Sequence, residues 1–378
     1  MRTQRIYFLD IMRGGAVVVM VMGHSIDSVL GLDVRTTEVF RLYDAVRGFT
    51  APIFLFVAGF AFTIVTERKW AEYRKLSRPL RGRFLKIILL LIVGYALHLP
   101  FFSLNKLLHG TRPEEYAQLF QVDVLHCVAA SILILQCIVL PSRTPQIFSR
   151  ITIILGTLIV VATPLVWSID LSPMVNPAFA PYFNQSHASI FPIFPYAGFM
   201  LAGAALSHYF VASSLRGEER KFFSTILGLA LVAGACGIAF DLLPVALYPP
   251  HDYWKASPNF FLLRLSAVLL VTTGFFYLRK LPVVIEHPVI ALGQASLLVY
   301  AVHLVVVYGS AANSGLQQII GKTLPYYSAA GVGVAVLGAM IALTYLWGYA
   351  RTHHSWPSRF VQAGFASTII YLFFTNPW

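Results

Sequence analysis

Eleven apolar stretches follow one another along the chain, and polar or proline-containing segments separate them. They lie at about 14–31, 48–66, 84–103, 120–140, 151–169, 191–210, 222–243, 259–278, 288–309, 326–350 and 360–375. Most match the roughly 20 residues that a helix needs to cross a bilayer, while the last is short enough to lie at the membrane surface. The pattern predicts an all-α, polytopic helical bundle of about 10–11 transmembrane helices. We expect one membrane-embedded domain over residues 1–378.

The composition agrees with a membrane protein. Hydrophobic residues make up 57% of the chain and charged residues 12%, whereas soluble domains carry about 25% charged residues. The three cysteines all lie in predicted spans, so neither a disulfide framework nor a cysteine metal site is indicated. We expect a multi-pass protein surrounded by membrane lipid, in the inner or plasma membrane of the cell.

The net charge of +12 reflects an uneven distribution of basic residues between the loops. With the N-terminus in the cytoplasm, nineteen of the 28 Lys and Arg residues lie on that side, six lie outside, and three lie in or beside spans. This asymmetry follows the positive-inside rule. We interpret the basic segment 68–86 as a cytoplasmic loop near anionic lipid and expect no nucleic-acid partner.

Ionisable side chains interrupt the first apolar span, which contains Asp10, Arg13, His24 and Asp27. Such groups are costly in a membrane and therefore suggest function. Arg13 and His24 are 11 residues apart, so on a helix they share a face and lie roughly 16 Å apart. This predicts a polar stripe that reaches from one side of the membrane towards the other.

Given this topology, seven membrane-level groups on six helices lie towards the outer side: His24, Arg47, His98, Asp123, His126, Arg264 and His303. The bias predicts a polar chamber that opens to the outside. For a single histidine, a structural hydrogen-bonding role remains an alternative.

Local spacing supports acid-base chemistry at these positions. Asp123 and His126 are one helical turn apart, and Asp27 lies one turn after His24. A histidine can act as a general base, and a nearby carboxylate can fix its tautomer. The catalytic candidates are His24, Asp27, Asp123 and His126, and the substrate-binding candidates are Arg47, Arg264, Tyr300 and His303.

The cytoplasmic side has a smaller group of candidates: Asp10, Arg13 and Gln294. Positive charge at this opening suits an anionic co-substrate, although a structural ion pair explains Asp10 and Arg13 equally well. Neither GxxxxGK[ST] nor HExxH occurs, so nucleotide-driven transport and a zinc protease are not indicated. We expect no metal.

Several segments also carry a family resemblance. The first, RIYFLDIMRGGAVVVMVMGHSID, has LDxxRG followed about ten residues later by a polar residue. Later blocks are APIFLFVAGFAFTI (51–64), QVDVLHCVAASILIL (121–135), FPIFPYAGFMLAGAAL (191–206) and LGQASLLVYAVHLVVVYG (292–309). Together they resemble the transmembrane acyltransferase superfamily, and within it the heparan-alpha-glucosaminide N-acetyltransferase-like family, which is related to acyltransferase-3 proteins.

The resemblance implies an enzyme that moves an acyl group, often acetyl, from cytoplasmic acyl-CoA to a glycan hydroxyl or amine across the membrane. By position, Asp10 and Arg13 match LDxxRG, and His24 matches the catalytic histidine of acyltransferase-3 proteins. The eukaryotic N-acetyltransferase has an asparagine there and its catalytic histidine in the following outer region, whereas residues 28–46 here contain no histidine. Either His24 therefore takes that role, or the present chain uses a different mechanism.

The leading hypothesis is a membrane acyltransferase that uses acetyl-CoA or another acyl-CoA as co-substrate. His24 acts either as a general base in direct transfer or as an acyl carrier. An extracytoplasmic glycan or small molecule is the expected acceptor, and a homodimer is left open. The alternative is a secondary transporter or exporter of a polar or lipid-linked solute, with membrane Asp and His residues relaying protons. An inactive scaffold is a third option.

Overall fold

Helices dominate the secondary structure of this protein. The computed structural model describes residues 6–99, 103–112, 115, 118–171, 174–185, 188–243, 247–278, 282–310 and 313–353, with 364, 367, 371 and 373–376. Within these residues there are isolated β-bridges but no β-strand. The predicted all-α class is confirmed.

The helices are, in chain order, α1 (Tyr7–Val29), α2 (Glu38–Arg47), α3 (Thr50–Arg68), α4 (Trp70–Tyr73), α5 (Arg78–Leu97), α6 (Leu104–His109), α7 (Val124–Val139), α8 (Pro145–Trp167), α9 (Ile193–Leu215), α10 (Glu219–Asp241), α11 (Tyr253–Ala256), α12 (Pro258–Tyr277), α13 (Val283–Gln294), α14 (Ser296–Tyr308), α15 (Leu316–Ile320) and α16 (Tyr326–His353). They form two units. Unit 1 comprises Met1–Thr50, Leu99–Tyr116 and Lys280–Trp378, and unit 2 comprises Ala51–His98 and Ala117–Arg279.

Seven candidate membrane spans lie within the described ranges: Tyr7–Val29, Glu38–Arg68, Pro145–Trp167, Ile193–Leu215, Glu219–Asp241, Pro258–Tyr277 and Tyr326–Thr352. The helix pair α13 and α14 would make an eighth. This polytopic arrangement agrees with the prediction, although the number is below 10–11. Two of the predicted spans, 84–103 and 120–140, are not among the candidates. The helix α5 has four basic residues in its first nine positions, and α7 is only 16 residues long. Most of the predicted span at 360–375 lies outside the described residues.

In unit 1, α1 packs closely against α13. A Cβ atom added to Gly14 would lie 2.0 Å from the Val289 carbonyl oxygen, and one added to Gly293 would lie 2.9 Å from the Gly14 nitrogen. Small residues allow such backbone contact between membrane helices. The glycines therefore place the end of α13 against the first half of α1.

The chain bends by 87° between α13 and α14. Ala295 leaves the helical conformation there, with φ −99° and ψ 22°. The sequence prediction of one continuous span at 288–309 is wrong in this respect. Because both helices are apolar, the hydrophobic pattern contains no sign of the break.

The far end of α1 is held by the segment that precedes α16. The backbone N–H of Gly31 donates to the Leu324 carbonyl oxygen at 2.9 Å, and the Leu324 N–H donates to the Val29 carbonyl oxygen at 2.9 Å. Val29, Leu30 and Ala329 form a buried apolar cluster beside these bonds. These contacts fix the end of α1 that carries His24.

Unit 2 has its core where α3, α7, α8, α9 and α12 meet. The buried cluster includes Leu55, Phe62, Leu135, Phe148, Phe199, Met200 and Phe261. A Cβ atom on Gly59 would lie 1.9 Å from the Met200 carbonyl oxygen, so α3 and α9 also cross in backbone contact. This packing positions the first turn of α7, where Asp123 and His126 lie.

Candidate active site

His24 lies in unit 1 beside two side chains of α14. Its Nδ1 atom is 3.0 Å from the Tyr308 hydroxyl oxygen. The centroid of its ring lies 5.4 Å from that of His303 and 5.8 Å from that of Tyr308. Because His24 is only partly buried, a ligand can reach this cluster of two imidazoles and a phenol from the side of His24.

His303 forms the buried wall of the cluster, with 0% of its surface exposed. Its Nδ1 atom lies 2.7 Å from the Val299 carbonyl oxygen, which can only accept, so Nδ1 carries a proton. Its Nε2 atom is buried and has no hydrogen-bond partner among the described residues. The Tyr300 ring centroid lies 5.8 Å from that of His303.

Two arginines bind the Asp27 carboxylate. Arg35 Nη1 donates to Asp27 Oδ1 at 2.8 Å, and Arg47 Nη1 lies 3.2 Å from Asp27 Oδ2. Arg47 Nη2 also donates to Asp44 Oδ1 at 2.6 Å. The hydrogen bond found at His24 is therefore to Tyr308, and a role of Asp27 in orienting His24 stays a prediction. Arg47, a predicted substrate-binding residue, has both terminal guanidinium nitrogens paired in this neutral network.

The network also fixes α2 on α1. The Tyr43 hydroxyl donates to the Gly23 carbonyl oxygen at 2.9 Å. A Cβ atom on Gly23 would lie 3.1 Å from Arg47 Cδ, so the glycine leaves room for the arginine beside His24.

The beginning of α1 carries the predicted co-substrate residues. Arg13 Nη2 lies 3.9 Å from Asp10 Oδ1, and these side chains are 33% and 23% exposed. Gln294 is exposed and follows Gly293, which lies against Asp10 and Gly14. The structure therefore brings the three residues to one region of unit 1. Arg13 and His24 are separated by roughly 16 Å along α1.

In unit 2, Asp123 is the N-cap of α7. Its Oδ1 atom accepts from the backbone N–H groups of Leu125 and His126, and lies 2.7 Å from His126 Nδ1. Both side chains are buried, and the two form a capping box. The predicted pairing is present, and helix capping gives it a structural role.

Aromatic groups enclose His126. Its ring centroid lies 4.3 Å from that of Tyr95 and 5.9 Å from that of His98. The Tyr95 and Tyr182 hydroxyl oxygens are 3.0 Å apart. Burial raises the pKa of Tyr182, so its phenol remains protonated at neutral pH. A Cβ atom on Gly94 would lie 2.7 Å from His126 Cε1, so this glycine makes room for the imidazole.

The predicted outer groups thus form two clusters, one in each unit. His24, Arg47 and His303 belong to unit 1, whereas His98, Asp123 and His126 belong to unit 2. Arg264, in unit 2, lies with its guanidinium carbon 4.3 Å from the Phe260 ring centroid. The single chamber expected from the sequence stays a prediction.

Sequence reasoning missed Tyr308 and Arg35. Tyr308 is 284 residues from His24, and no local pattern indicates that contact. Arg35 is only eight residues after Asp27, so their opposite charges did offer a signal. Within the described ranges, no group of three or more His, Cys, Asp and Glu side chains is arranged to hold a metal ion.

Comparison with known families identifies the chain. The family model of the heparan-alpha-glucosaminide N-acetyltransferase catalytic domain matches residues 5–235. The chain belongs to this family. No curated protein matches the sequence.

Membership in the N-acetyltransferase family confirms the resemblance of the first span and of the blocks at 51–64, 121–135 and 191–206, which all lie in the matched region. It also agrees with the candidate spans, and together they identify a multi-pass integral membrane protein of an acetyltransferase family. The matched region contains Asp10, Arg13 and His24. His303 and Tyr308 lie beyond it, so the structure alone connects them with His24.

Proposed function

We propose that this protein transfers an acyl group, in the first instance acetyl, from cytoplasmic acyl-CoA to a hydroxyl or amine acceptor on the other side of the membrane. A glycan is the leading acceptor class, because the matched family is described by its action on a glucosaminide. The observation that carries the proposal is the cluster of His24, His303 and Tyr308 at one end of α1.

In this proposal, the beginning of α1 binds acyl-CoA, the acyl donor. The Arg13 side chain is one-third exposed, and a guanidinium group is well suited to the phosphates of acyl-CoA. Gln294 adds amide hydrogen-bonding capacity in the same region. The distance of roughly 16 Å from Arg13 to His24 is one that an extended thioester arm can span.

The reaction forms a bond between the acceptor heteroatom and the acyl carbon and breaks the carbon–sulfur bond of the thioester. The acceptor proton passes to an imidazole of the cluster and then to the departing thiolate, which leaves as CoA thiol. In a two-step route His24 first accepts the acyl group and then yields it to the acceptor. Both routes require His24.

To test this proposal, membranes that contain the protein are incubated with radiolabelled acetyl-CoA, and the amount of label that reaches the acceptor is measured. We expect acceptor labelling with the wild type and a fall of at least about 10²-fold in His24→Ala, as for loss of a group that acts on the reacting atoms. His109→Gln is the matched control, because His109 is an exposed histidine of unit 1. Wild-type labelling by folded His24→Ala protein would contradict the proposal.

A secondary transporter is the second candidate, and the 87° break between α13 and α14 favours it, since transporters bind solutes at broken helices. Acyl-CoA binding separates the two candidates. An enzyme saturated at 100 times its Kd should gain about 2.7 kcal/mol of stability. A thermal midpoint unchanged by acyl-CoA, together with solute uptake into proteoliposomes, would favour the transporter.

A further inference from the structure

Two ring nitrogens of the unit 1 cluster lack hydrogen-bond partners within the part of the chain that the structure describes. One is Nε2 of His303, which is buried. The other is Nε2 of His24, whose ring is bonded only through Nδ1. Buried polar groups are normally paired, so an unpaired one beside an accessible ring has hydrogen-bonding capacity left for a ligand.

His303 presents a hydrogen-bond acceptor at this position. Its Nδ1–H donates to the Val299 carbonyl oxygen at 2.7 Å. A neutral imidazole has one protonated nitrogen, so Nε2 carries a lone pair. His303 can therefore accept a proton from an O–H or N–H group.

His24 presents a hydrogen-bond donor at this position. The described residues offer the Tyr308 hydroxyl one hydrogen-bond partner, which is Nδ1 of His24 at 3.0 Å. When Tyr308 donates its proton to Nδ1, both groups are satisfied and the histidine proton lies on Nε2. Nε2–H of His24 can then donate to a carbonyl oxygen.

We propose that the two histidines divide the chemistry, with His303 as the general base and His24 as the donor that stabilises the acyl oxygen. The assignment rests on the proposed function and replaces the expectation that His24 is the base. The acceptor X–H proton moves to His303 Nε2 as the X–C bond forms. Negative charge develops on the acyl oxygen, which His24 Nε2–H stabilises. When the C–S bond breaks, the proton passes to the thiolate.

The surroundings of His303 suit a base. Once Nε2 is protonated, the Val299 carbonyl dipole still accepts from Nδ1–H and stabilises the imidazolium. The charged groups of the network beside the neighbouring His24 are Asp27, Asp44, Arg35 and Arg47, which pair among themselves and sum to zero. The network therefore has no net positive charge that would oppose protonation of His303.

The experiment places glutamine at each histidine in turn. Glutamine retains an N–H donor near the Nε2 position but cannot act as a base. Purified His24→Gln and His303→Gln are compared with the wild type in proteoliposomes, using radiolabelled acetyl-CoA and glucosamine as the probes. The dependence of kcat/KM on pH is measured for each, with His109→Gln as the control.

We expect His303→Gln to lose about 10²- to 10⁴-fold in kcat/KM, as for loss of a general base. We also expect it to lose the fall in rate at acid pH. His24→Gln should keep the acid limb and more activity than His24→Ala, which lacks the donor. A structural role would not move the pH profile.

The opposite pattern, in which the acid limb disappears in His24→Gln and persists in His303→Gln, would overturn the assignment while the acyltransferase remains. An equal loss of kcat/KM in both variants, with unchanged pH profiles, would overturn the assignment too. Absence of transfer by the wild type, both to glucosamine and to the native acceptors in membranes, would refute the proposed function and this assignment together.

Discussion

The contact between α1 and α13 gives a sharp prediction, because adjacent glycines of α1 have different surroundings. A Cβ atom at Gly14 would lie 2.0 Å from the Val289 carbonyl oxygen and 2.6 Å from Val289 Cγ1. At Gly15 nothing lies within 4 Å. Gly14→Ala and Gly15→Ala are therefore the same chemical change in two different environments.

The magnitudes follow from two effects. Each alanine gains about 0.8–1.0 kcal/mol of helix propensity over glycine. At Gly14 the new methyl group meets backbone, which cannot rotate away, and overpacking of this kind costs about 1–3 kcal/mol or more. We expect Gly15→Ala to match or exceed wild-type stability and Gly14→Ala to be about 2–3 kcal/mol less stable than Gly15→Ala, the propensity gain being common to both.

Thermal unfolding of the detergent-purified proteins measures the difference. At roughly 1.3 °C per kcal/mol for a chain of 378 residues, the two midpoints should differ by about 3–4 °C. Gly14→Ala should also weaken acyl-CoA binding, since it displaces the helix end that carries Gln294. Equal midpoints for both variants would refute the backbone contact between α1 and α13.

Three further predictions concern single side chains. Asp27→Asn should lower the free energy of unfolding by about 1–2 kcal/mol. Charge-assisted hydrogen bonds contribute about 1.5–3 kcal/mol, and partial exposure of the two arginines reduces that value; an unchanged thermal midpoint would contradict this. Tyr308→Phe should lower kcat about 10-fold, the effect of one hydrogen bond of about 1.4 kcal/mol to His24, and leave the KM for acyl-CoA unchanged; wild-type kcat would count against the contact. The Lys106 ammonium group holds the pKa of Glu115 at about 2, so their pairing should persist above pH 4.5 and be lost as pH falls towards 2. Hydrogen exchange over residues 103–112 should show this transition, and Glu115→Gln should abolish it.

The sequence predicts local features of this structure well. Long apolar runs locate most spans, because a helix needs about 20 such residues to cross the membrane. The run predicted at 259–278 is observed as Pro258–Tyr277, and that at 326–350 as Tyr326–His353. The Asp123–His126 pairing was also accessible, since residues three apart on a helix are neighbours.

Long-range contacts were beyond sequence reasoning. His303 and Tyr308, which contact His24, lie about 280 residues further along the chain, and only the folded chain brings α14 to α1. The ion pairs of Asp27 were missed for a related reason, because the arginines that bind its carboxylate come from the segment after α1. Helical spacing shows which residues are neighbours on one helix, but it cannot show which pairing is preferred.

The most direct test of the central claim measures transfer across a sealed membrane. Proteoliposomes are loaded with glucosamine and given radiolabelled acetyl-CoA outside, with the protein oriented so that the start of α1 faces the donor. We predict labelled N-acetylglucosamine inside the vesicles with wild type and His109→Gln, and at least about 10²-fold less with His24→Ala. Labelled product on the donor side alone, or equal internal label with His24→Ala, would contradict acyl transfer across the membrane at this cluster.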